Sequence, residues 1–389
     1  MTKRIFENTK TAFALKSDAE LDRAYFLFKL ISVEPLVKIG TSLTNFAIKA
    51  KLPVEGIIRT TVFDHFCGGV SESDCMPVVD SMWEAGVSTI LDYSVEGKDS
   101  EDPLDDALAK TLEIIDFVKE YKAIPFAVFK HSVYGRLTLF VKKGSGERLT
   151  QAESEEWNRV VRRFEKTCQK AHDLGVPLLI DAEESWMQDA ADELVEQMMQ
   201  RFNQERPIVF NTLQMYRTDR LEYLKNLHQR GRDAGYKVAV KLVRGAYLEK
   251  ENERAEEMGY PTPICASKQE TDINFDAAVT YCLDHHTEIS LYAGTHNEQS
   301  SYKLMEGMEE RQINRDDTRV WFGQLYGMSD HISFNLGKAG YNVSKYLPFG
   351  PVRDVMPYLI RRAEENTSVA GQTNRELELL KKERERRKI

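Results

Sequence analysis

The chain has 389 residues, 42% of them hydrophobic, with a formal net charge of -9 and a pI near 5.6. That is enough apolar material for one large domain with an appendage, or for two or three ordinary ones, and the acidic balance excludes a general nucleic-acid binder, which needs surplus Lys and Arg against phosphate. The five cysteines, Cys67, Cys75, Cys168, Cys265 and Cys282, never stand at C-x-x-C spacing, which predicts buried reduced thiols rather than structural zinc or a disulfide framework.

The opening "MTKRIFENTK" leads into mixed polar residues without an apolar stretch or cleavage site, and no run reaches the roughly 18 apolar residues of a membrane span. A cytosolic chain is expected. Residues 1–85 read as a helical arm or small domain. Within it "SDAELDRAYFLFKLIS" carries a capping box in Ser17 and Glu20, followed by Leu21, Ala24, Tyr25, Leu27, Phe28 and Ile31 at helical spacing. Pro53 and Gly56 break a second helical segment, and "FCGGVSESD" is a joint before a helix ending at Gly86.

From residue 86 to 370 short apolar, β-branched runs alternate with charged helical stretches. The runs are "VSTILDY", "IPFAVFK", "PLLIDAEE", "PIVFNTLQ", "KVAVKLVRGAY", "ISLYAGTHN", "VWFGQLYGM" and "VSKYLPFG". Eight strands over roughly 280 residues predict an α/β fold, a TIM-like (β/α)8 barrel, with a doubly wound open sheet as the structural rival. Most runs start apolar and finish on chemically capable residues, namely Lys130, Asp181, Gln214, Arg244 with Tyr247, and Thr295 with His296 and Asn297. Strand C-termini form the active face of such barrels, which favours that fold. Residues 371–389 read as a polar helix or frayed tail whose basic end, "KKERERRKI", could meet anionic lipid or remain a solvated helix.

No glycine-rich nucleotide loop and no H-E-x-x-H is present, and the eight histidines are dispersed, so no metal site is expected. "LLIDAEE" ends a buried strand on Asp181, Glu183 and Glu184. Of these Asp181 is the candidate, paired with Lys130 at the neighbouring strand tip; a purely structural salt bridge is the alternative. "KLVRGAY" places Lys241 and Arg244 on opposite faces of a strand end, then Gly245, which lets backbone approach a ligand. With Gln214, Lys268, Thr295, His296 and Asn297 these make a polar ring able to take a dinucleotide's phosphates, ribose and ring. In "PYLIRRAEENTS" the side chains of Tyr358, Arg361, Arg362 and Glu365 share one helical face. That face is either a solvated salt-bridge ladder or, on a last helix over the barrel mouth, a carboxylate clamp.

Together "YLIRRAEEN", "DAEE", "KLVRGAY", "THN" and "QLYGM" resemble, in order and position, the proline dehydrogenase (proline oxidase) family from about residue 85 to 367, and "FENTKTAF" resembles its monofunctional, mitochondrial-type branch. The resemblance implies a distorted (β/α)8 barrel that binds FAD without a covalent link. It implies oxidation of L-proline to Δ1-pyrroline-5-carboxylate and delivery of electrons to a membrane quinone, through peripheral contact at the inner face of the membrane. By resemblance Lys130, Arg361 and Arg362 bind the proline carboxylate, Asp181 stands beside Lys130, and Glu365 orders the arginines. Leu325, Tyr346 and Tyr358 wall in the ring. Gln214, Lys241, Val243, Arg244, Gly245, Lys268, Thr295 and His296 hold the flavin, and Tyr247 stands between the flavin and substrate shells. Lys241 and Leu248 depart from the arginine and the frequent tryptophan of the bifunctional enzymes. Hydroxyproline dehydrogenase is the near alternative, against which Tyr346 argues. A Schiff-base lyase or aldolase using Lys130 or Lys241 and a non-catalytic carboxylate-binding barrel are the others.

Overall fold

A computed structural model describes residues 4–32, 56, 59–94, 100–368 and 370–389, with backbone alone for 60, 61, 363–368 and 370–372. All eight expected strands form: β1 (Ser88–Tyr93), β2 (Ala127–Lys130), β3 (Leu178–Asp181), β4 (Val209–Gln214), β5 (Val238–Val243), β6 (Ile289–Gly294), β7 (Val320–Leu325) and β8 (Val343–Phe349). The strands run in the order β1-β8-β7-β6-β5-β4-β3-β2, so that β2 to β8 each lie beside a sequence neighbour and the first strand lies beside the last, and the registered pairs are parallel. Helical crossovers between successive parallel strands are the (β/α)8 pattern. The chain divides into two compact units, Met1–Val95 with Gly323–Ile389, and Glu96–Phe322. These boundaries differ from the expected 1–85, 86–370 and 371–389.

In the unit Glu96–Phe322 the strands separate two kinds of side chain by their period of two. One face packs on helices: Phe129 meets Phe164 of the helix Gln151–Leu174 at 5.3 Å between ring centroids, and Asn211 donates to Asp192 of the helix Ser185–Phe202 at 2.9 Å. The other face carries an aromatic plug near the strand N-termini. Phe126 sits edge-on to Phe210, Tyr292 and Trp321 at 5.6, 5.5 and 5.1 Å, each pair contributing about 0.5–1.5 kcal/mol beyond its buried area. Towards the C-termini the same face turns polar with Lys130, Asp181, Gln214 and Lys241, because the register sets Lys130 beside Asp181 and Thr212 beside Lys241.

In the other unit the first and last strands pair, Ser88 with Ser344 through Tyr93 with Phe349. The predicted capping box forms, with Glu20 N donating to Ser17 Oγ and Ser17 N to Glu20, and it starts the helix Asp18–Ile31. Pro53 lies outside the described residues. The end of the chain is not a frayed tail: the helix Ala370–Arg387 buries Leu379 and Leu380 against Phe13, Leu21, Ala24 and Phe28. Its basic residues are spent internally. Lys382 and Arg375 pair with Glu7, Arg384 with Asp22, and Arg387 with Asp18 and Glu383. Tethering both chain ends to one core explains why residues so far apart in sequence form one compact unit.

Candidate active site

The predicted site residues fall into two sets, one in each unit. In the unit Glu96–Phe322, Lys130 and Asp181 end adjacent strands as register partners, but the expected ion pair between them is replaced. The Asp181 carboxylate accepts from Lys241 Nζ. Lys241 is only 5% exposed, and a buried ammonium must find a carboxylate, whereas half-buried Lys130 can be served by water. Sequence proximity at neighbouring strand tips pointed to the wrong lysine; burial selects the other.

Arg244 faces the helices, opposite Lys241 as expected. Its Nε donates to Asp272 Oδ1 at 2.7 Å and its terminal nitrogens to Thr295 Oγ1 at 2.6 Å and Ser300 Oγ at 2.9 Å, while the guanidinium lies 4.4 Å from the Phe275 ring centroid. Lys268 Nζ completes the group on Asp272 at 2.7 Å. Burial pulls the Asp272 carboxyl upward, yet the hydrogen bonds from Lys268 and Arg244 hold it below the ordinary carboxylate range. The expected single polar ring is thus two clusters on opposite faces of the sheet: Gln214 and Lys241 on one, and Arg244, Lys268 and Thr295 on the other. Asn297 has local work, its Oδ1 accepting from Gln299 N at 2.9 Å and Ser300 N at 3.1 Å to cap the helix Glu298–Glu310. His296, half-buried, separates that cap from Thr295. Tyr247, also half-buried, precedes the helix Leu248–Met258 with Lys250 Nζ 5.6 Å from its ring centroid.

Gly245 is needed for a reason other than ligand approach. Its φ is +132°, and a Cβ there would lie 2.5 Å from the Tyr216 ring, so both backbone and packing demand glycine.

The second set belongs to the unit Met1–Val95 with Gly323–Ile389. Tyr358 and Arg362 stand one turn apart on the helix Val352–Ser368; they are 6% and 9% exposed, and the guanidinium lies 5.1 Å from the Tyr358 ring centroid. A solvated ladder does not bury an arginine, so for Arg362 that reading fails. Arg361 is half-buried. Glu365 is helical in backbone, and its side chain lies outside the described residues. Tyr346 is buried on β8, its carbonyl accepting from Tyr326 N at 2.8 Å, and Leu325 packs on the apolar cluster that contains Tyr358, Met356 and Leu359. Gly327 follows with φ +78°, where a Cβ would stand 2.4 Å from His65 O, which accounts for the glycine of "QLYGM".

Two groups escaped the sequence reading. Lys345, within "KYLPFG", has a fully buried side chain; it pairs with Asp330 at 2.8 Å and donates to Met328 O at 2.6 Å and Leu325 O at 3.3 Å, while Lys16 approaches Asp330 at 3.3 Å. A lone lysine inside an apolar strand was the available signal. The other group is His131, Ser132 and Glu183, at the turns after β2 and β3. Among the described residues no three His, Cys, Asp or Glu converge as a metal site, and no helix is long and apolar enough to cross a membrane.

The sequence model of the proline dehydrogenase family matches residues 75–375. The chain is 35% identical over 353 residues to the carbapenem antibiotics biosynthesis protein CarD of Pectobacterium carotovorum, covering 90% of this chain and 92% of that protein. It is 30% identical to mitochondrial proline dehydrogenase 1 of Arabidopsis thaliana, covering 99% of this chain and 85% of that protein. It is 40% identical to human mitochondrial proline dehydrogenase 1 over 236 residues, 60% of this chain and 39% of the human one. In fold it resembles the crystal structure of proline utilization A from Bdellovibrio bacteriovorus, with a TM-score of 0.71 at 21% identity, covering 97% of this chain and 39% of that one.

Proposed function

The chain belongs to the proline dehydrogenase family, whose reaction class is the oxidation of proline, and from that premise we propose that it oxidises L-proline to Δ1-pyrroline-5-carboxylate with FAD and passes the electrons to a membrane quinone. The observation that carries this is the family match across residues 75–375, which spans the strand ends of both residue sets and the helix with the twin arginines.

The chain's own residues suit a planar cofactor ring. The C-terminal ends of β4, β5 and β6 present Gln214, Val243 and Gly294 on the face away from the helices; a Cβ on Gly294 would come within 3.0 Å of Val243 Cγ1, so that surface is flush. Thr212 on the same face keeps a buried hydroxyl without a partner among the described residues. Gln214, Lys241 and Val243 hold the ring there in this reading, while Arg244, Gly245, Lys268, Thr295, His296 and Asn297 hold the remainder, with Tyr247 between cofactor and substrate.

FAD, when bound, supplies the acceptor for the hydride that leaves the carbon next to the proline nitrogen. The rest of the chemistry is positioning. Arg361 and Arg362 take the proline carboxylate, the guanidinium groups in bidentate fashion, with Glu365 ordering the arginines. Leu325, Tyr346 and Tyr358 exclude water from the ring and fix the reacting carbon. Asp181, neutralising Lys241, keeps that buried ammonium in place. The proline nitrogen must be unprotonated to release the hydride. We infer work in the cytoplasm with peripheral contact at the membrane face; the basic C-terminal residues, tied to Glu7, Asp18 and Asp22, are poor candidates for that contact.

The test is direct. The purified protein should be yellow and bleach anaerobically on L-proline; a colourless protein that traps substrate under borohydride would overturn the assignment. Arg361→Ala and Arg362→Ala should each raise KM for proline at least about tenfold, the worth of one charge-assisted hydrogen bond. Their effect on pyrrolidine, which lacks the carboxylate, should be small, and equal losses on both substrates would refute the clamp.

A further inference from the structure

The turns after β2 and β3 are closed on each other by side chains the reaction does not consume. The Glu183 carboxylate accepts from Ser132 N at 3.0 Å and Ser132 Oγ at 2.9 Å. The His131 ring, 1% exposed, has Nδ1 3.0 Å from the Asp181 carbonyl, so Nδ1 carries the proton and ties the two turns directly; its Nε2, 3.5 Å from Glu183 Oε2, makes no hydrogen bond. On the far side Glu183 N donates to Gln188 Oε1 at 3.2 Å, Gln188 Nε2 donates to Asp192 Oδ1 at 2.8 Å, and Asp192 is anchored by Arg220 at 2.6 Å. Glu183 is therefore held from both sides.

Its carbonyl is then put to use. Gln214 Nε2 donates to Glu183 O at 2.6 Å. A carbonyl oxygen only accepts, so the Gln214 amide must turn its NH2 towards Glu183 and its Oε1 away. Gln214 is registered with Val243 on the face opposite the helices, where that oxygen would be available as an acceptor for a cofactor N–H.

We propose that Glu183 is a positioning residue: by clamping the turn after β3 to Ser132, it fixes the carbonyl that sets which way the Gln214 amide faces. The inference rests on the flavin-dependent reading above and explains how this chain aims one of its cofactor contacts. A loose turn would let the amide rotate and offer NH2 where an acceptor is wanted, a mismatch that leaves two donors face to face.

The experiment is a double-mutant cycle on the holoenzyme with Glu183→Gln, Gln214→Leu and the pair. It reads the visible absorption maximum of the bound flavin, the limiting rate of anaerobic reduction by proline, and KM. Glu183→Gln keeps the side chain's size but presents a donor to one of the two Ser132 donors. It should slow reduction by about tenfold with KM within about twofold, and move the absorption maximum in the same direction as Gln214→Leu. The double variant should be no slower than Gln214→Leu alone, because Glu183 acts through that amide. Multiplying losses, or a lower melting temperature with unchanged spectrum and rate, overturn the proposal. Ser132→Ala removes one donor with little risk to folding and should produce a smaller shift of the same sign; no shift also overturns it. A colourless wild-type protein, or one that proline does not bleach, instead overturns the flavin reading and the role that rests on it.

Discussion

Asp330→Asn removes the carboxylate paired with Lys345 Nζ at 2.8 Å and leaves that ammonium in a fully buried side chain, with the Met328 and Leu325 carbonyls, Lys16 and the buried Glu376 nearby. Breaking a buried pair from one side costs about 3–5 kcal/mol. For 389 residues the unfolding entropy near the midpoint is about 0.8 kcal/mol/K at ~2.1 cal/mol/K per residue, so a loss of about 4 kcal/mol lowers the melting midpoint by about 5 °C. Burial pushes the Asp330 carboxyl upward, but Lys345 and Lys16 hold it well below the ordinary range. A lowered folded-state pKa contributes stability above the unfolded value, near 3.9, that is lost as pH falls through the folded one. The gap between wild type and variant, read by differential scanning calorimetry, should therefore be full at pH 7 and narrow only under strong acid. Replacing both partners, Asp330→Asn with Lys345→Met, should recover most of the loss, since no charge is then stranded on β8. A shift below about 1 °C for Asp330→Asn, or a double variant as unstable as the single, would refute the reasoning. Because Lys345 also holds Leu325 O, the single variant should weaken proline binding by a few-fold.

Gly245→Ala should cost about 1–3 kcal/mol from its left-handed φ of +132° alone, with the clash on Tyr216 adding to it, seen as a melting shift of a few degrees together with weakened flavin retention. His65 is pulled down to about 3 by burial and the neighbouring Lys16; below pH about 6.5 the unfolded chain takes up a proton the folded one refuses, so up to about 1.4 kcal/mol of stability should go per pH unit down to that value. His65→Gln should flatten this acid limb in urea titrations, and an unchanged slope would contradict the assignment. Leu379→Ala, fully buried against the helix Asp18–Ile31, should cost about 2–5 kcal/mol and expose the C-terminal helix to limited proteolysis, whereas a free tail would be cut equally in both proteins.

The strand count and the capping box of Ser17 with Glu20 were legible because they rest on local rules. A period of two set against 3.6 identifies β-α alternation, and Ser17 with Glu20 must cap a helix wherever it lies. The Asp181 partner was not legible, because Lys130 and Lys241 are both plausible on paper and only burial separates them. Glu183 and Ser132 are 51 residues apart in sequence, and nothing in either neighbourhood announces the other. The division of the polar ring was legible in part: Lys241 and Arg244 differ by an odd number of positions, and strand parity sends them to opposite faces.

The sequence by itself determined the fold class, the alternation of eight strands and helices, and the family, since period, caps and contiguous motifs are properties of a linear string. Only the tertiary structure decided which lysine neutralises Asp181, that Arg362 is buried against Tyr358, and that the last helix is docked by Leu379 and Leu380. Those outcomes depend on desolvation: a charge or an apolar side chain takes the partner that removes it from, or returns it to, water, and which partner is within reach is set by contacts between residues far apart in the chain.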